Sequence, residues 1–399
     1  MKPQSKKLFA LTTAALALPS LTPSVAKAQS APVDFDVSYR FSTYSEGEVS
    51  PENNLLGAGQ SVDRFDIDIH QLGIVAPLSS RWSLNFDAST ESLSGASPWF
   101  VQPVNGEAVQ AFSGATIEET RNDVSVGTNY FADRFRIGGG VAFSTENDYE
   151  ALAFNLSSSI FFNNKNTSID FGISQSNDDI TPTQDPTADP NGLRIISDTK
   201  SSQAVSVGFS QVLNKTTLIA GSLGFKQFDG FLSDPYKLVS VGGTLIPDAR
   251  PDSKFENTAS LQLRKFFTGI EAALHADYRF YDNDWGNLSN TVSLAWYQNL
   301  GSWQLTGRVR VYDQQQANFF SNFFEEARAD GFHTSDYRLS SYSAISTKLS
   351  VKKSFGDVFS VLVSYEDYQT GSGFIGSDDE LSPGLVEFDL ISVGLNTKF

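Results

Sequence analysis

Apolar and polar residues alternate with period two over one stretch of this chain after another. Val33, Phe35, Val37, Tyr39 and Phe41 share one face of a segment whose other face carries Asp34, Asp36, Ser38, Arg40 and Ser42. The chain ends in the same way, with Ile391, Val393, Leu395, Thr397 and Phe399 set against Ser392, Gly394, Asn396 and Lys398. This is the pattern of strands with one apolar and one polar face. In a soluble sandwich the apolar face is the core. In a membrane barrel it meets lipid, and the polar face lines the lumen.

Sixteen such segments are legible, near 33–44, 63–76, 81–93, 121–131, 134–145, 150–162, 167–176, 200–213, 216–228, 254–266, 268–281, 287–299, 302–313, 337–353, 357–368 and 385–399. Short connections at 77–80, 132–133, 163–166, 214–215, Phe267, 300–301 and 355–356 alternate with the others, which are mostly long and polar. The long ones are 45–62, 94–120, 177–199, 229–253, 314–336 and 369–384; 146–149 and 282–286 are the brief members of that set. A sandwich has no reason to sort its loops by length. The pattern predicts an all-β fold, a transmembrane antiparallel up-and-down barrel of about 16 strands with short periplasmic turns and long extracellular loops. An even strand count puts both termini on the periplasmic side.

Composition adds the compartment. Lys2, Lys6 and Lys7, an apolar run from Leu8 to Leu18, and Ala26-Lys27-Ala28 read as a secretory signal peptide over 1–28, leaving a barrel domain at 29–399. Cleavage there leaves 25 basic and 46 acidic residues, a balance that argues against nucleic acid as a partner. The absence of cysteine rules out a disulfide framework, a thiolate nucleophile and Cys-ligated metal. Past residue 28 no apolar run approaches the roughly 18 residues of a spanning helix, so a membrane would be crossed by strands.

The candidate chemistry lies on the polar faces. Inward acids concentrate early, at Asp34, Asp36, Asp66, Asp68, Asp87 and Glu91, with Arg40 and Arg64 among them. Inward bases concentrate late, at Arg264, Arg279, Arg308, Arg310, Lys348 and Lys352. Opposed walls of charge set a transverse field across a pore and select polar or charged solutes. The same residues could instead neutralise one another in a plugged lumen, although sixteen strands leave room for an aqueous channel. His275 and Asp277 could serve as base and orienter of a hydrolase, but no nucleophile is marked beside them. Three scattered histidines make no transition-metal cluster, and no metal or cofactor is expected. Gly138-Gly139-Gly140 lacks the Lys and Ser/Thr of a phosphate cradle, and Asp282–Gly286 lacks the downstream glutamate of a calcium loop. Acidic loops such as 177–192 either bind cations that bridge lipopolysaccharide or are simply solvated.

The last residue, Phe399, resembles the terminal aromatic residue of bacterial outer-membrane proteins, which their assembly machinery reads. More specific phrases are Glu91–Trp99 with Gly95, Pro98 and Trp99; Ser233-Asp234-Pro235-Tyr236-Lys237; Asp282-Asn283-Asp284-Trp285-Gly286; Val311–Gln314 running into Ala317–Phe320; and Ser335–Ser340. Together they resemble a family of Gram-negative outer-membrane, porin-like barrels known only as a domain of unknown function. The chain departs from that pattern at Asn287–Asn290, where a histidine would precede Thr291, and at Phe319-Phe320, where a Phe-Tyr pair would stand. The resemblance carries no catalytic residues. It implies an envelope redox partner, because such relatives sit beside a small lipoprotein, a thioredoxin-like protein and a flavin transferase.

The sequence therefore leads to an integral outer-membrane protein of a Gram-negative bacterium, in contact with lipopolysaccharide. Its expected function is a porin-like channel or transporter for small polar or charged solutes, without enzyme activity. The alternatives are a scaffold for a periplasmic or surface lipoprotein and a barrel hydrolase. Loops 94–120 and 229–253 are expected to fold inward or to meet a partner.

Overall fold

Strands that alternate in this way leave no unpaired backbone edge once the first is hydrogen-bonded to the last. The computed structural model describes residues 30–49, 62–112, 117–184, 192–371 and 381–399, and in it sixteen antiparallel strands close into a barrel. They are β1 (Asp36–Ser45), β2 (Asp66–Pro77), β3 (Trp82–Gly95), β4 (Ile117–Phe131), β5 (Phe135–Thr145), β6 (Tyr149–Phe162), β7 (Thr167–Ile180) and β8 (Asp198–Asn214). The second half comprises β9 (Thr217–Gly230), β10 (Ser253–Phe267), β11 (Ala272–Asn283), β12 (Leu288–Leu300), β13 (Trp303–Gln314), β14 (Tyr342–Phe355), β15 (Phe359–Gly371) and β16 (Phe388–Lys398). Each pairs with its neighbours in sequence, and β1 pairs with β16 from Asp36↔Lys398 to Ser45↔Asp389. Residues 1–28, and parts of the loops at 45–62, 94–120, 177–199 and 369–384, lie outside the described residues.

The outer wall carries large apolar side chains that stay exposed, among them Phe154 and Leu156 on β6, Val205, Val207 and Phe209 on β8, and Leu349 on β14. Apolar exposure of this extent fits a lipid solvent better than water. Aromatic pairs collect at the end with the short turns, with Trp82 and Tyr130 at 5.0 Å and Phe355 and Phe359 at 5.7 Å between centroids. The seam ends there too. Phe35 N–H donates to Phe399 O at 3.2 Å, Phe399 N–H donates to Phe35 O at 2.9 Å, and the rings sit 6.3 Å apart. Phe399→Ala should lower the yield of folded barrel severalfold while Phe399→Tyr preserves it, scored by the fraction that shifts in mobility on heating; equal yields would remove the role of this residue.

Two strand starts and two loops depart from the sequence pattern for local reasons. The turn expected at Phe267 occupies Thr268–Glu271, with Glu271 at φ +51°, so β11 starts at Ala272 and not at 268. The strand expected from 337 begins at Tyr342, because Asp336 caps a short 3-10 turn over Tyr337–Leu339 by accepting from Arg338 N–H. Loops 94–120 and 229–253 are not plain loops: they hold the ribbons Pro98–Val104/Glu107–Phe112 and Leu238–Val241/Thr244–Pro247. These turn at Asn105-Gly106 and Gly242-Gly243, all four at positive φ, dipeptides that favour tight hairpins and that strand alternation alone passes over.

Candidate functional site

Residues opposite one another across a ladder share a face, so the register assigns the inner wall. Asp36, Arg40, Asp87, Glu91, Arg264, His275, Asp277, Arg279, Arg308, Arg310, Lys348 and Lys352 all fall on it. Four expected luminal residues do not. Asp66 and Asp68 face outward and are exposed, because Ile67, Ile69, Gln71 and Gly73 of β2 line the interior. Thr43 Oγ1 donates to Asp68 at 3.1 Å on the outer face, and His70 there lies 2.7 Å from the Tyr39 hydroxyl. The apolar set of β2 changes parity, from Ile67 and Ile69 to Leu72 and Ile74. Its upper part turns inward against Phe65, Leu93 and Tyr44. Arg64 precedes β2 and is buried among loops, where it donates to Glu46 at 3.0 Å and to Leu385 O and Gly384 O. Asp34 precedes β1 and is exposed.

Within the barrel a cavity of about 1100 Å³ lies against β1–β5 and β14–β16. Its charges are Asp87 and Glu91 from β3, Asp123 from β4, Arg40 two strands from the β3 acids on β1, and Lys348 and Lys352 from β14. Some of these charges are already matched. Arg121 binds Asp123 at 2.9 Å, while Arg308 and Lys348 reach Glu366 at 2.6 and 3.3 Å. Arg40, Asp87, Glu91, Arg310 and Lys352 have no ion-pair partner among the described residues. Elsewhere on the wall Asp277 pairs with Arg264 at 2.7 Å, and His275 packs on Tyr297 with centroids 4.5 Å apart. The base–orienter pair that a hydrolase needs is therefore not assembled.

Loops roof the long-loop end of this cavity with Ser97, Pro98, Trp99, Asp234, Tyr236, Lys237, Tyr337 and Arg338. Arg338 bridges Asp234 at 2.7 Å and also binds Asp336. Arg250 bridges Asp336 at 2.8 Å and Asp248 at 2.7 Å, and Asp248 accepts Asp234 N–H at 2.8 Å. Lys237 Nζ donates to Pro98 O at 2.9 Å, tying the two inward ribbons together. Burial alone would raise Asp336, but Arg338, Lys237 and Arg250 hold it well below the usual carboxylate range. Burial pushes Asp248 up against the pull of Arg250, and pushes the Lys237 ammonium down against Asp336 and Asp234. A small apolar core of Trp285, Ala317, Phe319 and Phe320 underpins this network, with Trp285 Nε1 donating to Ser253 O at 2.9 Å.

Two glycines are required by this packing. A Cβ at Gly95 (φ +132°) would lie 2.2 Å from Arg64 O, and one at Gly286 (φ +97°) would lie 2.5 Å from the Asn318 amide. Asp284 ties the same turn to β10 by accepting Phe255 N–H at 3.0 Å.

The family model described as protein of unknown function (DUF3570) matches residues 8–385. The chain belongs to the DUF3570 family. No curated protein matches it. Among solved structures, this DUF3570 barrel is similar to a bacterial polysaccharide outer membrane secretin at 11% identity and TM-score 0.50, covering 92% of this chain and 98% of that one. It is also similar to a BenF-like porin from Pseudomonas fluorescens at 9% identity and TM-score 0.44, with coverage of 92% and 98%. The fold is a closed, sixteen-stranded antiparallel barrel of the kind seen in that outer-membrane secretin.

The phrases that mark this DUF3570 chain are scattered over some 240 positions and meet in the roof: Pro98-Trp99, Asp234–Lys237, Trp285-Gly286, Ala317–Phe320 and Asp336–Ser340. Their residues hold loops together, which is why they looked specific without resembling any catalytic motif. Arg250, Asp248 and Arg121 escaped sequence reading, since a charge in a polar loop carries no signal of its partner. At the departure before Thr291, Asn290 faces outward and accepts the Tyr278 hydroxyl at 2.7 Å, so a histidine at that position would not reach the lumen.

Proposed function

We propose that this barrel is an integral outer-membrane protein with its long loops outward, passing small polar or charged solutes and performing no reaction of its own. The observation that carries this reading is the roofed cavity, whose wall holds charges of both signs, Asp87 and Glu91 with Arg40 and Lys352, that have no ion-pair partner among the described residues. Unpaired luminal charge costs solvation unless water or a solute meets it, and charged walls act on permeants through the field they set. Lipopolysaccharide and the barrel assembly machinery are the partners that this placement entails.

Conductance of the detergent-purified protein in planar bilayers tests the proposal. Ion-selective openings are expected, and Arg310→Ala combined with Lys352→Ala should move the reversal potential in a salt gradient toward cation preference. Arg308→Ala should move it less, because Glu366 already neutralises that guanidinium. A folded barrel that stays silent even with its roof loosened would overturn the channel reading.

A further inference from the structure

The cavity is not uniformly polar. Tyr44, Phe388 and Tyr368, from the adjacent strands β1, β16 and β15, form a strip of half-buried rings along its wall. The centroids are 4.6 Å apart at each step, and the second pair is stacked at 15°. Ile67 and Ile69 of β2 add apolar surface, and Trp99 enters from the roof. The Trp99 indole N–H is buried without an acceptor among the described residues. The same cavity presents Asp87 and Glu91 on β3, Arg40 two strands away on β1, and Lys352 three strands beyond that on β14.

A neutral sugar would leave all four charges uncompensated. A simple anion would satisfy Arg40 and Lys352 while facing two carboxylates, and a simple cation would meet the reverse problem. A purely apolar molecule would bury the whole set. The complement that meets every wall carries an ammonium, a carboxylate and an apolar or aromatic group, the last resting on the ring strip. We propose that the cavity binds zwitterions with an aromatic or branched side group, from a single amino acid up to a short peptide. A volume of about 1100 Å³ accommodates the larger members with room for water. The proposal deepens the channel reading by naming the solute class, but binding itself does not require conduction.

Isothermal titration calorimetry on the full-length, detergent-folded barrel is the test, with L-phenylalanyl-L-alanine as probe. The expected result is measurable binding that weakens about tenfold when the amine is acetylated, the carboxylate is amidated, or the ring is removed as in alanyl-alanine, each change losing one strong contact. Asp87→Asn with Glu91→Gln should abolish discrimination against the acetylated peptide only. Arg40→Gln with Lys352→Gln should abolish discrimination against the amide only, and Phe388→Leu should reduce preference for the ring. Heat-shifted mobility confirms that each variant is folded. Equal binding of all four compounds, no heat at millimolar peptide, or variants that leave the pattern unchanged would overturn the proposal. A silent bilayer with this binding pattern intact would defeat the channel reading alone, and conduction without it would defeat the zwitterion site alone.

Discussion

Asp336→Asn is expected to unlatch the roof while leaving the barrel wall intact. The side chain is fully buried and takes charge-assisted contacts from both Arg338 and Arg250, which in turn hold Asp234 and Asp248. Asparagine keeps the shape but removes the charge that the Arg250 guanidinium and the half-buried Arg338 guanidinium share. Breaking one partner out of a buried network costs about 3–5 kcal/mol, because the remaining charges are left without compensation. That loss falls on loops held to one another mainly by these contacts and by the Trp285 cluster, not on the strand ladders. The expected readouts are rapid proteolysis within 231–252 and 315–341, and more frequent channel openings, with heat-shifted mobility unchanged. Asp330→Asn is the control, since the Arg328–Asp330 pair is exposed and screened by water. If Asp336→Asn and Asp330→Asn resist protease equally, the network does not hold the roof.

The barrel wall was legible because lipid and lumen impose one rule on every strand: apolar out, polar in. β1 obeys it over Val37–Ser42, β8 over Val205–Ser210 and β16 over Ile391–Asn396, which is why strand number, order and most luminal residues could be read from alternation. The rule fails where the lumen is not water. Beneath the roof, Ile67 and Ile69 turn inward, Ile67 packing on Phe65 and Leu93, and Asp66 and Asp68 are sent to the outer rim. One residue of parity thus moved two acids from the lumen to the surface. The roof itself was half legible. Asn105-Gly106 and Gly242-Gly243 announce hairpins within loops that alternation leaves blank. The pairing of Asp234 with Arg338, which lie 104 positions apart, depends on how those hairpins dock, and no local pattern encodes it.

A second large effect should come from pH, through Glu146 in the short connection between β5 and β6. One guanidinium serves several carboxylates there. Arg121 spends its short contacts on Asp123 at 2.9 Å and Ser144 at 3.2 Å, and reaches Glu146 only at 3.7 Å. Neither oxygen of the buried Glu146 carboxyl accepts a hydrogen bond from the described residues. Burial pushes its pKa from 4.5 up to about 8, with Arg121 opposing and Asp148, Glu119 and Asp123 adding to the rise. Asp148, which accepts the Tyr236 hydroxyl from the roof, is likewise raised by burial to about 6. A carboxyl whose folded pKa is raised keeps its proton in the closed loop at pH values where the opened loop has lost it. Its contribution to closure is therefore complete below about 4.5 and disappears as pH rises through about 8. Each pH unit inside that window costs up to about 1.4 kcal/mol. Because Asp148 anchors Tyr236 and the next residue, Lys237, anchors Pro98, loosening at 146–148 should spread to the ribbon at 98–112. Hydrogen exchange at 146–149 and 98–112 is expected to accelerate steadily from pH 5 to pH 8, after correction for the intrinsic base-catalysed rate. Glu146→Gln, which is neutral throughout, should flatten that dependence and protect the roof at pH 8. A slope that survives the substitution would place the titrating group elsewhere, and no slope in the parent protein would mean that Glu146 is ionised within the closed loop.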